Sequence, residues 1–191
     1  MILLDPIQIT VKVTNVLEKI GVHYFIGGSL ASTMHGMVRT TQDADIVAEL
    51  HTEHISPFTE ALKDDFYIDD EMIADAVTRR ASFNIIHRDS MFKVDVFIPR
   101  QRNFDEMQLS RARRETLSRD PESQAFVATA EDILLAKLEW FRMGGEVSER
   151  QWRDVLGVIK VKASALDVEY LRSMAKEIKV DDLLERALSL S

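Results

Sequence analysis

Two aspartates, Asp43 and Asp45, stand two residues apart in Asp43-Ala44-Asp45-Ile46. In a strand, a period of two puts both carboxylates on one face, while Ala44 and Ile46 turn into apolar packing. Two like charges side by side repel unless something positive lies between them. Hard oxygen ligands without His or Cys beside them suit magnesium or manganese rather than zinc. A third carboxylate, Asp95, is the only acid in the apolar run Phe92-Lys93-Val94-Asp95-Val96-Phe97-Ile98. Burying an acid there is costly unless it is paired or ligates a metal. If the two strands are neighbours, the three carboxylates converge. Such a triad can hold two ions roughly 3.5–4 Å apart, which activate an attacking oxygen and neutralise a leaving pyrophosphate.

Upstream, Ile26-Gly27-Gly28-Ser29 reads as a strand ending in a glycine turn that opens a helix. Glycine lets the backbone approach a phosphate closely, and a helix start offers unpaired N–H donors. The Ser29 hydroxyl adds a side-chain donor.

The elements that must carry these residues can be read from periodicity and breakers. Residues 6–20 place Ile9, Val13, Val16, Leu17 and Ile20 on one helical face, with Pro6 in the first turn and Gly21 as the stop. Residues 23–26 predict a buried strand, 29–35 a short helix, 43–50 a second strand, 52–64 a helix containing Pro57, and 66–68 a short strand. A helix over 70–80 precedes two strands, 82–87 and 92–98, joined by a hairpin loop. Residues 104–117 read as helix or loop-rich insertion, and 126–128 as a last strand. From Thr129 the pattern becomes wholly helical: a capped helix to Met143, then 148–162, 166–178 and 181–190. The expected fold is therefore α+β, a mixed sheet flanked by helices over residues 1–128, with a C-terminal helical lobe over 129–191 packed on it.

Composition fits a globular chain. It has 191 residues, 46% of them hydrophobic, with no cysteine, which removes disulfides, thiolate zinc sites and cysteine nucleophiles. No apolar run is long enough for a membrane span, and the N-terminus lacks a basic n-region, so a cytoplasmic protein is expected. With 24 Lys+Arg against 32 Asp+Glu the formal charge is -8, which excludes a whole-protein basic footprint for nucleic acid.

The stretch IGGSLASTMHGMVRTTQDADIVAEL, with KVDVF later, resembles the DNA polymerase β-type nucleotidyltransferases. That superfamily joins a Gly-Gly or Gly-Ser turn to an Asp-x-Asp strand, with a third acid on a neighbouring strand. Thirteen residues separate Ser29 from Asp43 here. In detail the chain looks most like the AbiEii-type stand-alone bacterial enzymes: in Gly27-Gly28-Ser29, His35-Gly36, Arg39-Thr40, and Glu131-Asp132 leading to Ala136-Lys137-Leu138. Arg153-Asp154 also resembles a charged pair found downstream of that helix.

The resemblance implies a minimal nucleotidyltransferase fold. It implies transfer of a nucleoside monophosphate from an NTP, ATP included, to an acceptor hydroxyl with magnesium or manganese. Asp43 and Asp45 would bind both ions, and Asp95 would bind the catalytic one and help activate the acceptor. Gly27, Gly28, Ser29, Arg39, Thr40 and Lys137 would hold the nucleotide. The acceptor is left open between tRNA, protein and a small molecule. A toxin–antitoxin setting with a cognate partner protein follows from the AbiEii-type likeness. A non-catalytic nucleotide-binding or interaction protein of the same fold is the alternative.

Several residues carry a second reading. His35 can cap helix carbonyls, Arg39 can form a structural ion pair, and the Lys137 stem can cover the apolar face of Leu134, Leu138 and Phe141. The six arginines at 100, 102, 111, 113, 114 and 119 form either a solvated helix face or a local patch for an RNA acceptor. Trp140 and Trp152 are expected in the core of the lobe.

Overall fold

The computed structural model describes residues 5–35 and 43–190. Helix α1 (Pro6–Lys19) starts at Asp5, whose side chain accepts from Ile7 N while Gln8 reaches back to the Asp5 amide. Strand β1 (Tyr24–Ile26) runs through Gly27 into α2 (Gly28–Met34), and β2 (Asp43–Ala48) returns antiparallel to β1. Then come α3 (Thr52–Leu62), which continues through Pro57, β3 (Phe66–Tyr67), and α4 (Asp70–Arg79), capped by Asp69. The hairpin β4 (Ser82–His87) and β5 (Lys93–Phe97) follows, as the sequence predicts.

The ambiguous stretch resolves into α5 (Asn103–Arg111) and a strand the sequence does not announce, β6 (Arg113–Thr116). Strand β6 pairs antiparallel with β7 (Gln124–Val127) at the sheet edge. The remainder is helical: α6 (Ala130–Met143), α7 (Glu149–Lys162), a 3-10 turn, α8 (Val168–Glu177) and α9 (Asp181–Ser189). Among the described residues no helix is long and apolar enough to cross a membrane.

The strands form one mixed sheet in the order β3-β4-β5-β2-β1-β7-β6. Alternation does what the sequence requires. Ala44, Ile46, Val94 and Val96 are buried in one cluster with Ile9, Val13 and Leu17 of α1, Phe58 and Leu62 of α3, and Ile73 of α4. Their neighbours on β2 and β5, Asp43, Asp45, Lys93 and Asp95, must then point to the opposite face. A second apolar cluster is built from Leu134, Leu135, Leu138 and Phe141 of α6 with Val155, Val158, Leu171 and Leu184 of the later helices, and Phe104 of α5 joins it. Helix α6 serves both clusters, since its Ile133 belongs to the sheet core.

Candidate active site

β2 and β5 are adjacent and parallel, with Asp45 opposite Asp95 and Asp43 opposite Lys93. Opposed residues of neighbouring strands share a face, so the three acids stand on one side of the sheet. The β1-to-α2 turn rises beside them. The Gly27 amide donates to Asp45 O (2.9 Å), and Gly28 takes a left-handed backbone with φ of 56°. A Cβ on Gly28 would lie 1.7 Å from Asp45 Oδ2. The glycine is thus required first by the second aspartate of the Asp-x-Asp pair, an exclusion the sequence does not reveal.

Burial, then the charges of Asp43 and Asp95, push the Asp45 carboxyl up to about 6, against a partial pull from Lys137 and Lys93. Asp95 is bonded by Lys93, whose ammonium lies 2.6 Å from Oδ2. As they stand, no three His, Cys, Asp or Glu side chains among the described residues are gathered to enclose an ion. The donor set nevertheless fits a hard divalent cation. It offers three carboxylates on one face, one of them raised by burial and then by its like-charged neighbours, with the Lys93 ammonium as a counterweight at Asp95.

A cleft of about 730 Å³ opens over this face, between the sheet and α6–α7. That volume is within the range of small-molecule sites. Gly27, Gly28, Ser29, Asp43, Asp45 and Lys137 all line it. Lys137 does not simply cover apolar surface: its ammonium is 3.0 Å from Asp154 Oδ2 and both side chains are largely buried. Phe97 and Trp140 also line the cleft, their rings edge to face at 6.2 Å. Trp140 is 49% exposed, so it is a cleft-rim residue rather than the lobe core residue expected. Trp152 does pack into the lobe, against Phe141 at 5.3 Å.

The His35 ring does not cap its helix: its Nε2 lies 2.9 Å from the carbonyl of Ala128, just beyond β7, and ties the end of α2 to the sheet. Gly36, Arg39 and Thr40 lie outside the described residues. The six arginines do not form one patch. Arg102 bonds both Asp105 and Glu139. Arg111 is drawn to Glu131 and Asp132, and Arg114 pairs with Glu18 beyond the sheet edge. Only Arg100 and Arg102 of the six line the cleft. Sequence reasoning also missed Lys93, and it marked Asp154 only as half of a charged pair with Arg153, not as the partner of Lys137. Lys93 carried a signal, being two residues before Asp95 and so on its face; Asp154 is brought to Lys137 only by tertiary packing.

No family profile matches the chain, and no curated protein matches it by sequence. Solved structures do resemble it. An antigenic nucleotidyltransferase-like protein from Paracoccidioides brasiliensis superposes with a TM-score of 0.54 at 16% identity, over 97% of this chain and 93% of that one. ANT(2")-Ia in complex with adenylyl-2"-tobramycin superposes with a TM-score of 0.59 at 11% identity, over 90% of this chain and 97% of that one. The solution structure of the same antibiotic-resistance factor gives 0.53 at 13% identity, over 98% and 100%. At such identities the likeness shows the fold, which is the α+β nucleotidyltransferase fold expected.

Proposed function

We propose that the chain is a metal-dependent nucleotidyltransferase. One observation carries the reading: Asp43, Asp45 and Asp95 share a sheet face, with Asp45 opposite Asp95 and against the Gly28 turn, and Asp43, Asp45 and Lys137 line the cleft, with Asp95 on the neighbouring strand outside its lining. Asp43, Asp45 and Asp95 would hold divalent ions, magnesium or manganese, which supply charge neutralisation at the phosphates and a more acidic acceptor hydroxyl. Gly27, Gly28, Ser29 and Lys137, with Arg39 and Thr40, would hold the NTP phosphates. The acceptor oxygen attacks the α-phosphorus, the bond from that phosphorus to the bridging α–β oxygen breaks, and pyrophosphate leaves with the electron pair. The hydroxyl proton passes to Asp95 and on to water.

Negative charge in the cleft away from the triad is already engaged: Asp105 and Glu139 by Arg102, Asp154 by Lys137. A polycationic acceptor would therefore find little free negative charge here. The remaining candidates are a tRNA, a protein or an uncharged or anionic small molecule. The AbiEii-type likeness, with its toxin–antitoxin setting and cognate partner protein, rests on the sequence resemblance alone.

The test is incubation with each α-labelled NTP, magnesium and a cell extract. Label should appear on one class of molecule, and Asp95→Asn should lower transfer by roughly 10³-fold or more while nucleotide binding survives. Nucleotide binding with no label transferred from any NTP would favour the non-catalytic binder. Transfer undiminished in Asp95→Asn would remove Asp95 from the chemistry.

A further inference from the structure

The inference rests on the nucleotidyl-transfer reading and concerns how three acids stay together without a divalent ion. Lys93 and Asp95 are two apart on β5, so both side chains stand on the carboxylate face, and Lys93 is also the register partner of Asp43. The Lys93 ammonium is 2.6 Å from Asp95 Oδ2. Lys137, whose charge also reaches Asp45, is bonded to Asp154, an acid outside the triad. Among the described residues Lys93 is thus the cation bonded to a member of the triad itself. Its side chain is 41% exposed against 19% for Asp95, so the ammonium sits at the solvent edge of the cluster on a flexible stem. An ammonium and a divalent ion repel each other and compete for the same oxygen.

We infer that Lys93 is a tethered stand-in cation, holding Asp95 in the metal-free protein and having to leave it before a divalent ion can bind. Ion uptake is consequently weak in the free protein. It strengthens when a nucleotide arrives, because the triphosphate gives the displaced ammonium another anion. Lys93 is a positioning residue in this scheme, not a catalytic one. By linkage, the ion and the nucleotide then favour each other's binding by the same factor.

The probe is Mn2+, followed by the spectroscopic signal of the free ion, with and without an ATP analogue carrying a methylene between the α and β phosphorus atoms. Lys93→Met should bind Mn2+ at least roughly tenfold more tightly than wild type without nucleotide, about 1.4 kcal/mol. The gain in Mn2+ affinity produced by the nucleotide should shrink by that same factor. Lys93→Arg should resemble wild type, and in an Asp95→Asn background Lys93→Met should change nothing. Lys93→Gln replaces the Met variant if that variant loses its cooperative melt. Wild type taking up Mn2+ with nucleotide, while Lys93→Met binds Mn2+ no more tightly without it, would overturn the stand-in role and leave the proposed function intact. No Mn2+ uptake by either protein under any condition would overturn both.

Discussion

Asp45 is the residue on which the site's electrostatics turn. Its carboxyl is raised to about 6, first by burial and then by Asp43 and Asp95. Between the ordinary carboxylate range near 4 and that raised value, only the folded state holds the proton. Stability of the metal-free protein therefore falls as pH rises through this window, and the whole cost is present above it. Asp45→Asn removes the cost. In a chelator it should raise stability at pH 8 by up to roughly 3 kcal/mol, with the gain closing as pH approaches 4. Denaturant titrations at both pH values decide this; an Asn variant no more stable than wild type at pH 8 counts against the raised carboxyl. Gly28 is coupled to the same group. A Cβ there overlaps Asp45 Oδ2, and φ of 56° is strained for any L side chain. Gly28→Ala should destabilise the wild type by more than it destabilises an Asp45→Gly background, by over about 1 kcal/mol in a double-mutant cycle. Equal costs in the two backgrounds would mean that the strain is in the backbone alone.

Among the elements, α6 is the one that joins site to scaffold, and a buried network fixes its first turn. Asp132 is fully buried, with Tyr170 Oη donating to Oδ1 at 2.6 Å and Thr129 Oγ1 donating to Oδ2 at 2.7 Å. Arg111 of α5 stacks over the Tyr170 ring at 3.8 Å, so α5, α6 and α8 meet at one carboxylate. Tyr170→Phe should cost roughly 1.5–3 kcal/mol, since it withdraws a donor from a buried charged group. A cost below about 0.5 kcal/mol in urea would show that the hydroxyl holds nothing. What was legible at this scale follows the physics of pattern. The Asp-x-Asp pair and Asp95 could be read because period two fixes their face whatever the rest of the chain does. Strand β6 could not, because Arg113-Arg114-Glu115-Thr116 is exposed throughout and shows no alternation; only its pairing with β7 makes it a strand. The arginine run misled for a related reason. Chain proximity says nothing of partners, and Glu18, Glu131 and Glu139, which bond three of those arginines, come from other elements. Trp140 sits among core-forming helical positions, but the cleft opens on its side of α6.

At the scale of the whole molecule, two apolar cores are joined through α6, with α5 touching both, and the cleft lies where they meet. Ile133 belongs to the sheet core, while Leu134, Leu135 and Leu138 belong to the lobe. Unfolding the lobe would strip α6 from the sheet, so the two halves should unfold together as one cooperative unit. The distribution of tryptophan makes this testable, because both tryptophans stand on lobe helices, Trp152 packed within the lobe and Trp140 at the cleft against Phe97, whereas the strands report the sheet. Fluorescence and the strand component of circular dichroism should give one coincident melting transition. If nucleotide with magnesium binds at the proposed site, between Gly28 on one side and Lys137 on the other, it should move both probes together. At a ligand concentration of 100 times Kd the stabilisation is about 2.7 kcal/mol. For a chain of this size that corresponds to a rise in Tm of roughly 5–10 °C. A rise seen in the strand signal with the fluorescence transition left behind would place the nucleotide on the sheet alone. Lys137 would then be a structural partner of Asp154 rather than a phosphate ligand.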